Sequence, residues 1–212
     1  MSAGTAQTSE QNTVPDLLTA EEERRLVKQA HSDPEAFRAL YRAYFPRVYG
    51  YVAYRVGRRQ DAEDLAADIF VKVLEYLDRF EYRGEGAFAA WIFRIASNHV
   101  SAFYRRRGRR AEPIPLADLP EIAGDSPRPD EALLRQERFD ILRRMIDTLP
   151  PRRQEVIILR FFGGLRNQEI AAMLELDERT VASHLARALS DLNRRYRALL
   201  VEPEKELIDE RQ

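Results

Sequence analysis

Apolar residues recur at helical spacing along most of this chain, and the one long interval where that period fails decides what it can fold into. From Gly108 to about Pro129 the pattern disappears amid Pro113, Pro115, Pro120, Pro127 and Pro129. Proline lacks an amide proton and disfavours a helical residue before it, so this interval separates two helical regions rather than joining them. No long Val/Ile/Thr alternation offers strands, and 44% hydrophobic residues in a chain of 212 suffice for packed cores. The expectation is an all-α fold of two helical domains joined by a flexible linker. Its bounds read as a disordered N-terminus over 1–18, a domain over 19–107, a linker over 108–134, a domain over 135–200 and an acidic tail over 201–212.

Local signals divide the first domain. Thr19 and Glu22 form a capping box that opens a helix to about Ala30, and Ser32, Asp33 and Pro34 open a second that runs to about Val56. Asp61 starts a third, with Leu65, Ile69, Val73 and Leu77 on one face and Glu63, Asp64, Asp68, Lys72 and Glu75 on the other. Two glycines break the pattern between Phe80 and Gly86, and Ala87 to Arg107 then reads as one long helix. Its core stripe is expected at Phe88, Trp91, Ile92, Ile95, His99 and Phe103, and its polar face at Arg94, Asn98, Ser101 and Arg105.

The second domain carries a helix-turn-helix pattern. Asn167 to Leu174 and Glu178 to Arg195 are amphipathic segments separated by a short break, with Asp177 as the N-cap of the second. At about 100° per residue, Val181, Leu185, Ala188 and Leu192 form an apolar stripe, beside which lie Thr180, Ser183, His184, Arg187 and Asp191. One stripe seats the helix, and the other face is free to read something. In a DNA-binding helix-turn-helix the N-terminal part of the second helix enters the major groove, which points to Arg179, Thr180, Ser183, His184 and Arg187. A plain helical hairpin in an all-α core shares this pattern.

Charge is balanced in total, at −1, and segregated along the chain. Basic residues gather at Arg105, Arg106, Arg107, Arg109 and Arg110 and again at Arg187, Arg194, Arg195 and Arg197, while acidic ones gather around Glu21, around Asp61 to Asp68 and in the tail from Glu202 to Glu210. Such segregation suits a chain that meets DNA with one surface and a protein with another. The loop holding Phe80, Tyr82, Arg83 and Glu85 leads into Trp91 and the arginine-rich helix face, a mix that suits unstacked bases beside phosphates. Catalytic and metal constellations are not expected: His31, His99 and His184 are far apart, there is no cysteine, and Gly163 and Gly164 lack the lysine and Ser/Thr of a phosphate loop. The polar N-terminus and the absence of a membrane-length apolar run lead to an expectation of a cytoplasmic protein without membrane insertion.

Several motifs stand in a familiar order. Asp61, Ala62, Glu63, Asp64, Leu65 and Phe70 come first, then Phe88, Trp91, Ile92, Arg94, Ile95, Ala96, Asn98 and Arg105, then Leu149, Pro150, Arg153, Val156, Leu159, Gly164, Leu165, Glu169, Ile170, Ala171, Leu174, Thr180, Val181, Ser183, Leu185, Arg187 and Ala188. From about Ala36 to Leu199 the chain resembles the bacterial RNA polymerase sigma factors of the sigma-70 family, in their small two-domain extracytoplasmic-function (ECF) group. The resemblance implies core RNA polymerase and promoter DNA as partners, leaves room for an anti-sigma factor wedged between the domains, and implies neither catalysis nor a cofactor. It assigns polymerase binding to Asp61, Glu63, Asp64, Asp68, Phe70, Lys72 and Glu75, and the downstream (minus ten) element to Tyr82, Arg83, Phe88, Trp91, Arg94, Asn98, Ser101 and Arg105. Arg179, Thr180, Ser183, His184 and Arg187 would then bind the upstream (minus thirty-five) element. The chain departs from the family pattern at Ala182, His184 and Leu189, where basic residues are common, at Ala102, where aspartate is frequent, and at Glu175, a turn position usually given to glycine. A stand-alone helix-turn-helix repressor or activator is the competing reading; a module that binds only proteins is a further one.

Overall fold

A computed structural model describes residues 18–107 and 129–209, with side chains over 18–106 and 137–199. The described residues form eight α-helices and no strand. The first unit holds α1 (Ala20–Gln29), α2 (Pro34–Val56), α3 (Arg59–Tyr76), a 3-10 turn (Leu77–Arg79) and α4 (Ala87–Arg107). The second holds α5 (Pro129–Asp147), α6 (Pro151–Phe161), α7 (Asn167–Leu174) and α8 (Glu178–Asp209). No helix among the described residues is long and apolar enough to cross a membrane.

The helix starts follow capping chemistry. Thr19 accepts from the Glu22 amide while the Glu22 carboxylate accepts from the Thr19 amide at 3.0 Å, which satisfies two donors that the first turn leaves open. Asp33 caps α2 with Pro34 in its first turn. Three boundaries differ from the sequence expectation. The third helix opens at Arg59, two residues early, on Arg58 with no side-chain cap. α5 begins at Pro129, so residues 129–134, expected in the linker, are helical; the rest of that linker, 108–128, and the N-terminal residues 1–17 lie outside the described residues. α8 does not stop at Arg195 but continues through most of the expected tail.

The core stripe of α4 is rotated by about one residue from the expected one. Phe88, Ile92, Phe93 and Ala96 are fully buried, whereas Trp91, Ile95, His99 and Phe103 are half-buried at its edge. Phe93 decides this rotation, because its ring meets Tyr51 of α2 edge-on at 5.5 Å.

The two units do not stand apart. One hydrophobic cluster runs from Val48, Val52 and Ile69 through Phe93 to Ile158, Ile170 and Val181, and α4 packs along α7 while α2 meets α6. Tyr54 of α2 lies 4.2 Å, ring to ring, from Phe162 at the end of α6. Gly50 of α2 is so close to that end that a β-carbon there would stand 2.4 Å from the Phe162 carbonyl oxygen.

Candidate nucleic-acid and polymerase interfaces

α3 turns its charge outward because Leu65, Ile69 and Val73 are buried on its opposite side. Glu63, Asp64, Asp68 and Glu75 are exposed, Asp61 and Lys72 half-exposed. Glu63 accepts from Arg59 at 2.8 Å, and Glu75 from Lys72 at 2.6 Å. Phe70 corrects the expectation: it is buried, its ring 4.8 Å from Tyr41, and cannot be a surface contact. Three apolar residues that sequence reasoning passed over, Val71, Leu74 and Tyr76, lie exposed among these charges. The outer face of α3 is therefore a mixed acidic and apolar surface.

The loop between α3 and α4 packs its aromatic residues on one another. Trp91 is half-buried, 4.9 Å from Phe80 and 5.7 Å from Phe88. Phe88 is fully buried, which corrects its assignment to DNA: the ring supports Trp91 and Phe80 from beneath instead of meeting a base. Tyr82 is half-buried and its hydroxyl donates to Glu23 Oε1 at 3.0 Å; burial and that carboxylate push the phenol up to about 12. Tyr44 donates to the same carboxylate, and burial holds the Glu23 carboxyl above its usual range against the pull of both phenols. Arg83 is exposed and paired with Glu81.

On α4, Arg94, Asn98, Ser101 and Arg105 all point outward, as their spacing predicts. Arg94 is nonetheless occupied. Its Nη2 donates to the Ala172 carbonyl at 2.9 Å and to Glu175 Oε1 at 3.1 Å, and its Nε to the Met173 carbonyl at 3.4 Å. These are open carbonyls at the C-terminal end of α7, where a guanidinium also meets the negative end of the helix dipole. Beside this contact an open cleft of about 620 Å³ is lined by Arg94, Ser97, Asn98, Pro151, Arg152 and Glu155.

The turn after α7 places Glu175 in the left-handed region, at φ 57°, where the sequence departs from glycine. Asp177 then caps α8, accepting from the Thr180 amide at 2.8 Å and the Thr180 hydroxyl at 2.5 Å; those bonds hold its carboxyl below the usual range. Val181 and Ala188 are buried and seat the helix. Arg179 and Arg187 are exposed, Thr180, Ser183 and His184 half-exposed, and His184 Nδ1 is buried without a protein partner. All five share the outer face of the N-terminal turns of α8.

Two families match the chain. The family described as sigma-70 region 2 matches residues 40–110, which hold α3, the aromatic loop and α4, and sigma-70 region 4 matches residues 139–192, which hold the helix-turn-helix. The RNA polymerase sigma-H factor of Pseudomonas aeruginosa is 30% identical over 194 residues, 88% of this chain and 100% of that one. The ECF RNA polymerase sigma-E factor of Escherichia coli is 30% identical over 178 residues, 79% of this chain and 90% of that one. Among solved structures, CnrH in complex with the cytosolic domain of CnrY superposes with a TM-score of 0.60 at 25% identity, over 84% of this chain and 98% of that one. The sigma factor RpoE of Bartonella quintana, in complex with the anti-sigma factor NepR, shares the fold with a TM-score of 0.52 at 23% identity, over 76% of this chain and 96% of that one. Matches to both sigma-70 regions, in order along the chain, and to sigma factors covered over nearly their whole length make this chain a member of the sigma-70 family in its ECF group.

Proposed function

We propose that the chain binds core RNA polymerase through the outer face of α3, captures and melts the minus-ten element with the aromatic loop and α4, and binds the minus-thirty-five element as duplex with α8. The observation that carries this reading is the pairing of two distinct outward surfaces on the first unit, acidic and apolar on α3 but guanidinium and amide on α4, with a separate capped recognition helix on the second. A stand-alone helix-turn-helix regulator would need only the last of these. Unstacking a base costs a few kcal/mol, which Trp91 and Tyr82 can offset by stacking at the rim of the aromatic loop. The chain acts in this reading as a specificity subunit in the cytoplasm, with the reaction chemistry supplied by the polymerase.

The likeness to complexes such as that of RpoE with NepR supports an anti-sigma factor as a further partner. The direct packing of α4 on α7 changes how such a partner would act. A wedge would have to displace the bonds of Arg94 first, so a partner meeting the closed chain would grip its outer surfaces.

In vitro transcription with purified core polymerase on fragmented genomic DNA tests the reading. Discrete starts that depend on the chain are expected; their absence with active core would sink it.

A further inference from the structure

We propose that Glu23 of α1 is a positioning residue for promoter melting: its carboxylate ties Tyr82 of the aromatic loop to Tyr44 in the core, so that α1 braces the loop in the shape that receives an unpaired base. The inference rests on the promoter-directing role above and names what holds that site in register. Glu23, Val27 and Ala30 recur at helical spacing along α1 to its C-cap, and all three are buried. Glu23 thus occupies a seam position where an apolar side chain would pack without the cost of taking a carboxylate out of water. Its two oxygens account for the exception. Oε2 accepts from the Tyr44 hydroxyl, and Oε1 accepts from the Tyr82 hydroxyl at 3.0 Å. That second hydroxyl also lies 3.3 Å from the Ala20 carbonyl, so both of its neighbours are on α1.

The relay has a fixed end and a loose end. Tyr44 is buried, its ring edge-on to Phe88 at 5.3 Å, and Phe88 in turn supports Trp91 at 5.7 Å. Tyr82 is only half-buried, on a loop where Gly84 and Gly86 both stand at positive φ. Two such glycines leave that loop free to take other shapes. Both rings offered to a base therefore trace back to Tyr44, Trp91 through Phe88 and Tyr82 through Glu23. The end of α1 meets the approach to the loop a second time, since His31 Nδ1 and Asp78 Oδ1 of the 3-10 turn lie 2.6 Å apart. α1 precedes residues 40–110, which match sigma-70 region 2, so the acceptor comes from a part of the chain that the matched region does not contain.

Two variants cut the relay and a third keeps it. Tyr82→Phe removes the tie and retains the ring. Glu23→Leu with Tyr44→Phe removes the acceptor and the inner phenol together, so that no buried hydroxyl is orphaned. Glu23→Gln keeps an acceptor oxygen. Trp91 is the chain's one tryptophan, and Phe80 lies between it and Tyr82, 4.9 Å from the first ring and 6.4 Å from the second. Acrylamide quenching of its emission therefore reads the loop without a label. Quenching should rise in both cut variants and stay at the parent value in Glu23→Gln.

Permanganate reactivity of unpaired thymines at a chain-dependent start, with holoenzyme assembled from core polymerase and the full-length chain, gives the functional half. Releasing one ordered side chain sets the expected loss of melting at about threefold to tenfold in each cut variant. The triple variant should lose no more than either, because all three changes cut one relay, and Glu23→Gln should melt the promoter at the parent level. Losses that multiply in the triple variant, or a loss with Tyr82→Phe alone, would make the Tyr82 hydroxyl an independent DNA contact and overturn the relay. Parent-level melting or unchanged quenching in both cut variants would overturn it as well. No chain-dependent start with the parent chain would overturn the promoter-directing role, and the melting task of Glu23 with it, while raised quenching in the cut variants would still show that α1 holds the loop.

Discussion

Glu23 is held between two phenols, Tyr44 and Tyr82, with burial raising its carboxyl above the usual range, the nearby Glu169 adding to the rise and Arg166 opposing it. A carboxyl raised in the folded state binds more protons there than in the unfolded chain. Stability is therefore greatest below the ordinary carboxylate value and falls as pH rises through the raised one. Glu23→Gln keeps an acceptor for both phenols and removes the charge; it should flatten that slope and raise the urea midpoint near pH 7, as denaturation at several pH values would show. Arg187 carries the sharpest specificity prediction. As a bidentate base contact, Arg187→Ala in holoenzyme should cost about 1 to 3 kcal/mol and relax preference at one upstream position, whereas an equal loss on every sequence marks a phosphate contact. At this scale much was legible, because helical spacing alone put Asn98, Ser101, Arg105 and Arg187 on outer faces. Phe70 and Phe88 were misplaced because a motif marks a position without saying which way its ring turns. Val71 and Leu74 went unnoticed for a related reason: apolar residues off the main stripe of a charged helix look like noise until the core is seen to exclude them.

Single helices obey rules that a short window of sequence contains. The caps at Thr19, Asp33 and Asp177 are side-chain oxygens meeting amides a few residues on, so their recognition needs nothing distant. Asp177→Ala should lower the thermal midpoint, with α8 fraying at its N-terminal end in hydrogen exchange. Glu175 carries the opposite expectation. Its left-handed backbone is strained for any residue with a β-carbon, so Glu175→Gly should relieve about 1 kcal/mol in the turn, a gain that calorimetry would show reduced by the lost bond to Arg94. Helix ends set by distant packing were less legible. Nothing local forced α3 to open at Arg59, and the proline interval concealed that α5 already begins at Pro129, a residue well suited to a first turn.

The whole molecule was the least legible level. Two helical units follow from the proline interval, but the sequence leaves open whether they touch, because contacts such as Arg47 with Glu169 join residues 122 positions apart. Shared apolar packing predicts a thermodynamic consequence. The parent chain should unfold in one calorimetric transition, with calorimetric and van't Hoff enthalpies close to each other. Gly50→Ala, which parts the units but spares their interiors, should split that transition into two. A parent that already melts in two separate steps would mean the joint contributes little cooperativity.

The unexpected length of α8 also makes it a lever. Among its described side chains the last buried one is Leu192, and the helix runs on to Asp209, which at 1.5 Å per residue carries the far end about 26 Å beyond that fulcrum. A swing of about 20° by the second unit would sweep that end through about 9 Å by the same geometry. Small rotations at the buried joint thus become large displacements at the tip, where a partner or a probe can sense whether the chain is shut.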